Sequence, residues 1–170
     1  RTRLVGSEMC IRDSILEKVR LKALMLLAFW GLFRCSELCK ESKQTQFLRR
    51  KDIKIHKLDK GDRYLKIKLR KTKTSQFDST NVYVYANGSD YCAVSAIETY
   101  IKLTELWPDI NSNSPFFTLG GENMTPNYFN TLLKCLVKKA GLNPKSYSSH
   151  SFRAGGCLLY TSDAADEEAS

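Results

Sequence analysis

The spacing of hydrophobic and polar residues changes character along the chain. From Ile15 to Leu32, apolar residues lie on most sides of a predicted helix, which is typical of a central, buried helix. Its most apolar stretch, residues 23–33, is about half the ~20 residues that a helix needs to span a bilayer. We therefore predict a core helix, followed after a break at Gly31 by a short helix from Arg34 to Lys40.

The hydrophobic period then falls to two, which is typical of half-buried strands. Three strands are predicted, at 52–58 ("DIKIHKL"), 64–70 ("YLKIKLR") and 81–86 ("NVYVYA"), and a turn containing Gly61 joins the first two. In the second strand one face receives Leu65, Ile67 and Leu69, and the other receives Lys66, Lys68 and Arg70. The sheet is therefore expected to have a core face and a basic face.

Three further helices are predicted from helix-boundary signals. The first covers 92–106, and the second covers 125–141, with Thr125 as its cap, a proline at its first position and a glycine at its end. Serines at 148 and 149 precede a last helix that begins near His150. A chain of 170 residues is long enough for one core. The predicted fold class is α+β, a mainly helical domain with a small three-stranded antiparallel sheet.

The composition favours a polyanionic partner and argues against a metal site. The chain has 27 Lys and Arg against 18 Asp and Glu, a net charge of +9. Its six cysteines form no C-x-x-C pair, and His56 and His150 are its two histidines. We therefore expect no metal and no cofactor, and reduced thiols in an intracellular protein, nuclear or cytoplasmic, with no membrane partner.

Three polar segments carry candidate chemistry. Arg34 ends the buried helix with Glu37 three residues later, and residues 69–77 ("LRKTKTSQF") form a basic turn between two strands. In "SSHSFRAGG", residues 148–156, His150 and Arg153 lie one helical turn apart. In this order and spacing the segments resemble the catalytic domain of tyrosine (phage-integrase-like) recombinases of the mobile-element type, over about 15–156.

The resemblance implies a chemistry and a role for each residue. In this family a tyrosine attacks a DNA phosphodiester without a metal, giving a 3′-phosphotyrosyl link and a free 5′-hydroxyl. Arg34 and Arg153 would bind the phosphate oxygens, since guanidinium groups stay protonated and donate paired hydrogen bonds. His150 would hold the phosphate and assist proton movement, Lys73 would protonate the departing oxygen, and Glu37 would orient Arg34.

Double-stranded DNA is the expected partner, and the resemblance implies that the intact protein self-associates on it. The residues expected to contact DNA by their charge are Lys66, Lys68, Arg70 and Lys71, and Lys71 is also the alternative to Lys73 as the general acid. Each motif has a simpler interpretation by itself. Arg34 and Glu37 could be an ordinary surface pair, the turn lysines solvated charges, and His150 a residue near a helix start.

Both ends of the chain differ from the rest. Residues 7–14 ("SEMCIRDS") and 157–170 ("CLLYTSDAADEEAS") look like adapter sequence translated in frame. We therefore expect 1–14 and 157–170 to be non-native tails around a truncated catalytic domain at 15–156 that lacks its nucleophilic tyrosine. Tyr160, seven residues after Arg153, is then a false nucleophile.

The leading interpretation is thus a DNA strand-exchange recombinase fragment. The alternative is a recombinase-derived DNA-binding module without catalytic activity. A third class, an unrelated basic helical protein that binds RNA or a protein partner, is disfavoured because the sequence shows no RNA-binding signature and no evident aromatic stacking pattern.

Overall fold

The computed structural model describes residues 4–41, 47–59, 61–70, 79–105, 107–108 and 110–168, with side chains described within 15–162. The first helix, α1, is Leu4–Trp30 and therefore begins well before Ile15. Residues 4–14 contain no proline and a single glycine, so nothing in them interrupts the helical hydrogen bonds. Buried leucines and alanines from 21 to 28 place the middle of α1 in the core.

The end of α1 is set by the turn at Gly31. A Cβ atom at Gly31 would lie 2.2 Å from Cε2 of Phe33, so only glycine fits beneath that ring. Leu32 then adopts a left-handed backbone with φ of 53°, and Phe33 N–H donates to the carbonyl of Ala28 at 3.1 Å. The next helix, α2, is Cys35–Leu38, shorter than the predicted Arg34–Lys40.

The predicted three-stranded antiparallel sheet is present. Strands β1 (Ile53–Lys57), β2 (Arg63–Leu69) and β3 (Thr80–Tyr85) lie in the order β1-β2-β3, each within one residue of its predicted limits. The β1–β2 turn closes where Leu58 N–H donates to the Asp62 carbonyl at 2.8 Å, with Gly61 at φ of 84°. Leu65 and Ile67 are fully buried, so the alternation along β2 is as predicted.

Helix α3 (Ala93–Thr104) packs against α1 and covers the inner face of the sheet. Its buried Tyr100 packs against the rings of Phe116 and Phe117 and donates hydrogen bonds to the carbonyls of Phe116 and Thr118. A small hairpin follows, with strands β4 (Thr118–Leu119) and β5 (Glu122–Asn123). This hairpin was not predicted from the sequence, although the Gly120-Gly121 pair, both with positive φ, is a strong turn signal.

Two helices complete the fold. Helix α4 is Pro126–Lys139, with Thr125 accepting from Tyr128 N–H at its start and Gly141 at φ of 75° beyond its end, as predicted. Helix α5 is His150–Glu168 and packs against α1. The predicted α+β, mainly helical class is confirmed. Within the described part of the chain, no helix has the length and apolarity needed to cross a membrane.

Candidate functional site

The turn after α1 determines where Arg34 lies. Its backbone is extended, with φ of −75° and ψ of 147°, between the buried Phe33 and the buried Cys35. Because both neighbours are anchored in the core, the backbone of Arg34 is fixed, while its side chain is 31% exposed. The guanidinium is therefore available to a ligand at the protein surface.

Glu37 holds Arg34 at two points. Its Oε2 accepts the backbone N–H of Arg34 at 2.7 Å, and its Oε1 lies 3.5 Å from Nη1 of the guanidinium. The Glu37 side chain is only 10% exposed, so this pair is more constrained than an open surface ion pair. The geometry matches the predicted orienting contact, while the role of Glu37 in catalysis stays a prediction.

The start of α5 is attached to α4. Ser149 N–H donates to Oδ1 of Asn130 at 3.0 Å, and Nδ2 of Asn130 donates to the Pro126 carbonyl at 3.0 Å. Ser148 and Ser151 cap the helix reciprocally, because each backbone N–H donates to an oxygen of the other residue. These contacts fix the first turn of α5, which carries His150 and Arg153.

A second contact attaches the same turn to α2. The Ser149 side chain hydrogen-bonds the thiol of Cys35, whose Sγ also lies 3.5 Å from Sγ of Cys39. The hydrogen bonds from Cys39 and Ser149 lower the pKa of Cys35, although burial opposes them. Cys35 directly follows Arg34, and Ser149 directly precedes His150. The contact therefore joins two motifs that are distant in sequence.

Glycines bring the next turn of α5 close to α1. A Cβ atom at Gly156 would lie 2.4 Å from the carbonyl oxygen of Phe29 and 2.6 Å from Cδ2 of Leu32. At Gly155 the nearest atom would be Cε2 of Phe29, at 3.3 Å. Only a residue without a side chain allows this approach, so Gly156 keeps α5 against the end of α1, just before Arg34.

The contacts of Ser149 with Cys35 and Asn130, and of Gly156 with Phe29, form the junction at the start of α5. Helical spacing shows where the residues predicted to bind phosphate lie relative to this junction. Ser149 directly precedes α5 and lies four residues before Arg153, so by helical spacing Arg153 is on the side of α5 where Ser149 contacts Cys35. His150 is exposed and Arg153 is half-buried. Arg34, His150 and Arg153 thus lie on elements that meet, and their convergence on one phosphate stays a prediction.

The predicted turn lysines, Lys71 and Lys73, lie outside the described residues. Lys66 and Lys68 are on the outer face of the sheet, as predicted, and their binding of DNA stays a prediction.

Arg70, predicted as a DNA contact, has a partner within the domain. Its Nε and Nη2 donate to the two carboxylate oxygens of Asp52 at 3.2 and 2.8 Å, and this hydrogen bonding raises the pKa of Arg70. Asp52 is 2% exposed, and it also accepts the Arg49 N–H. Arg70 therefore neutralises a buried carboxylate, so part of its donor capacity is already used.

Several positioning residues were missed in the sequence. Asn130, Cys35 and Gly156 create the junction through contacts between distant segments, and helix periodicity carries no signal for such contacts. The "AGG" stretch after Arg153 was the one local hint, since consecutive glycines inside a helix are costly without a packing reason.

Beyond Gly156, α5 continues with exposed residues from Cys157 to Ser162. Tyr160 is 49% exposed. Within the part of the chain that the structure describes, no group of three or more His, Cys, Asp or Glu side chains is placed to hold a metal ion.

The fold is similar to two solved structures of the XerH site-specific recombinase. One is a post-cleavage complex with palindromic difH substrate, with a TM-score of 0.57, 18% identity and coverage of 90% of this chain. The other is a pre-cleavage complex with difH, with a TM-score of 0.56, 19% identity and 89% coverage. The chain spans 40% of the length of those recombinase chains.

No protein-family model matches the sequence, and a search of curated proteins gave no match. At 18–19% identity, the structural likeness establishes the fold. The chain has a tyrosine recombinase-like fold.

Proposed function

We propose that this chain is the catalytic-domain part of a DNA strand-exchange recombinase of the tyrosine type, which acts on double-stranded DNA. The observation that carries the proposal is the close packing of α5 at Gly156 on the end of α1, just before Arg34, beside the hydrogen bond between Ser149 and Cys35. This packing supports the proposal because the segments that carry Arg34 and Arg153 are neighbours in the fold although these residues are 119 positions apart. The DNA-bound state of both similar structures supports DNA as the partner.

Each proposed residue has a separate role in the cleavage reaction. The nucleophilic tyrosine oxygen forms a bond to phosphorus, and the bond from phosphorus to the 5′-oxygen breaks. Arg34 and Arg153 stabilise the charge that develops on the non-bridging oxygens, and positioned charged donors of this kind commonly supply several kcal/mol. His150 binds the same phosphate and assists the removal of the tyrosine proton, and Lys73 on the turn gives its proton to the departing oxygen.

The proposal extends to the biology of the intact protein. In this proposal the intact protein is an intracellular recombinase of a mobile element. It self-associates on DNA and has its nucleophile downstream of Gly156. Lys66 and Lys68 contact the phosphates of the DNA backbone from the outer face of β2. These contacts do not depend on the base sequence, because every nucleotide carries a phosphate.

A suicide-substrate assay tests the proposal. The 170-residue chain and a chain extended with the uninterrupted gene's downstream sequence are each incubated with nicked duplex DNA. We expect a covalent protein–DNA adduct from the extended chain alone. Its Arg153→Ala variant should form at least about a hundredfold less, the loss typical of one missing charged donor. Lys102→Ala, at an exposed position on α3, is the matched control.

The other outcomes separate the alternatives. DNA binding by the extended chain without an adduct would identify a binding module that lacks catalysis. An adduct from the 170-residue chain that disappears in Tyr160→Phe would show that Tyr160 is the nucleophile.

A further inference from the structure

The outer face of the three-stranded sheet carries an aromatic cluster beside its lysines. The β-register pairs His56 with Tyr64 and Tyr64 with Tyr85, and the next row pairs Lys66 with Tyr83. The His56 and Tyr64 rings stack with centroids 5.0 Å apart, and the Tyr64 centroid lies 5.4 Å from Tyr85 and 6.0 Å from Tyr83. This cluster corrects the expectation that the chain has no aromatic stacking pattern.

The outermost rings are open to solvent. Tyr83 is 48% exposed and Tyr85 is 62% exposed, whereas Tyr64 is half-buried between them and His56. The cross-strand ring contacts contribute to the stability of the sheet, and the exposed parts of Tyr83 and Tyr85 are available to a ligand. Within the described residues, no helix or strand covers Tyr85.

A basic hollow of about 570 Å³ adjoins the cluster. It is lined by five cationic side chains, Lys51, Lys54, Lys66, Lys68 and Arg70, and by His56. Among the described lining residues the one carboxylate, Asp52, is buried and neutralised by Arg70. The hollow therefore presents a net positive potential that suits phosphate groups.

The two halves of the surface are continuous. His56 belongs to both, and Nζ of Lys66 lies 6.0 Å from the ring centroid of Tyr83. Aromatic rings beside cationic side chains on one sheet face can take unpaired bases and their phosphates together. A duplex uses only the cationic half, because its bases are already stacked and paired.

We propose that this sheet face binds single-stranded nucleic acid, with bases stacked on Tyr83 and Tyr85 and phosphates in the basic hollow. The ligand chemistry is an unpaired base next to a phosphodiester, and DNA and RNA strands both supply it. The proposal does not depend on the catalytic role of Arg34, His150 and Arg153, which lie on other elements.

The test compares a variant without rings to one that keeps them. Tyr83→Thr/Tyr85→Thr removes both rings and retains residues that favour strands, while Tyr83→Phe/Tyr85→Phe retains the rings without the hydroxyls. Binding is measured by fluorescence anisotropy with single-stranded DNA, single-stranded RNA and duplex DNA of matched length. The Phe variant should bind every ligand as the parent does.

The Thr variant should lose at least about fivefold in affinity for each stacked base, and therefore about 25-fold or more for single strands. Its affinity for duplex DNA should change by less than about twofold, within ordinary additivity error. Ring-dependent binding of the DNA strand, the RNA strand or both supports the proposal and identifies which sugar the surface accepts.

Equal affinity of the Thr and Phe variants for both single strands would overturn the proposal. So would equal losses for single strands and duplex, because a general disturbance of the sheet would weaken both. Failure of the recombinase assignment would instead appear in the covalent-adduct assay, which does not report on these rings.

Discussion

The two cationic regions of this domain are built in different ways. The basic face of the sheet is formed by Lys66 and Lys68, two positions apart on β2. Their positions are fixed by the backbone hydrogen bonds of the sheet. The junction at the start of α5 depends instead on contacts with three distant segments: Ser149 with Cys35 of α2, Ser149 with Asn130 of α4, and Gly156 with Phe29 of α1. Charges on the sheet should therefore act independently, whereas the junction should respond as a unit.

The largest expected effect is at the closest approach of α5 to the end of α1. Gly156→Val places side-chain atoms where Phe29 O and Leu32 now lie, and overpacking should lower the free energy of unfolding by about 3 kcal/mol. Urea unfolding measures this loss. Duplex affinity should fall as the junction opens, while ring-dependent single-strand binding by the sheet persists at temperatures where the variant is folded.

Gly155→Ala is the matched control for that substitution. Its new Cβ would meet only the edge of the Phe29 ring at 3.3 Å, and alanine recovers up to about 1 kcal/mol of helix propensity. A destabilisation as large as that of Gly156→Val would show that the spacing of α5 from α1 is not set by Gly156.

The core that carries both regions should weaken at high pH. Burial raises the pKa of Tyr100 from its usual value near 10 to about 12. The folded state resists loss of this proton, so its contribution is complete below pH 10 and is lost as the pH rises towards 12, by about 3 kcal/mol in total. Urea unfolding across this pH range should show the decline.

Tyr100→Phe removes that titration and should flatten this part of the pH profile, although it also loses two hydrogen bonds. Tyr83→Phe, at an exposed position, is the control and should leave the profile unchanged. The rest of the chain is identical in all three proteins, so the difference between their profiles isolates Tyr100. Parallel profiles would contradict the prediction.

A smaller loss is expected when α5 is released from α4. Asn130→Ala leaves the Ser149 N–H without its acceptor and should cost about 1–2 kcal/mol in unfolding free energy. Asn127→Ala, on an exposed position of the same helix, should cost less than about 0.5 kcal/mol. If Asn130 supports the junction, Arg153→Ala should reduce duplex affinity less in the Asn130→Ala protein than in the parent. An equal reduction in both proteins would mean that Asn130 does not position Arg153.

The smallest effect belongs to single charges on the sheet. Lys66→Gln and Lys68→Gln should each reduce the slope of log affinity against log salt for duplex DNA by roughly 0.9, with additive results in the double variant. Arg70 is left intact because its loss would leave buried Asp52 unpaired. Lys102→Gln is the control, and an unchanged slope in the Lys66 and Lys68 variants would remove this face from the duplex interface.

The contrast between the regions also explains what could be predicted from the sequence. Alternation determined the strands and the buried face with Leu65 and Ile67, since a period of two is a local property. The same pattern places Tyr83 and Tyr85 beside Lys66, a signal that was present in "NVYVYA" and not used. Thr125 and Pro126 marked the start of α4 through equally local chemistry.

The junction was predictable only in part. Gly31 indicated the end of α1, but the tight contact with Phe33 that requires it is visible only in the structure. Likewise, nothing in the sequence shows that Asn130 accepts from Ser149 or that Asp52 binds Arg70. These are tertiary contacts, and they decide whether a conspicuous cation is free to bind a ligand.

The most direct test of the central claim is a double-mutant cycle on Arg34 and Arg153 in duplex binding. If both guanidinium groups contact one phosphate, each Ala variant should lose roughly tenfold or more in affinity, the value of a charged hydrogen bond. The loss in the double variant should then differ from the product of the single losses by about fivefold or more. A double loss within about twofold of that product, as expected for Arg34 paired with the exposed Lys102 of α3, would mean that the two arginines act on separate sites.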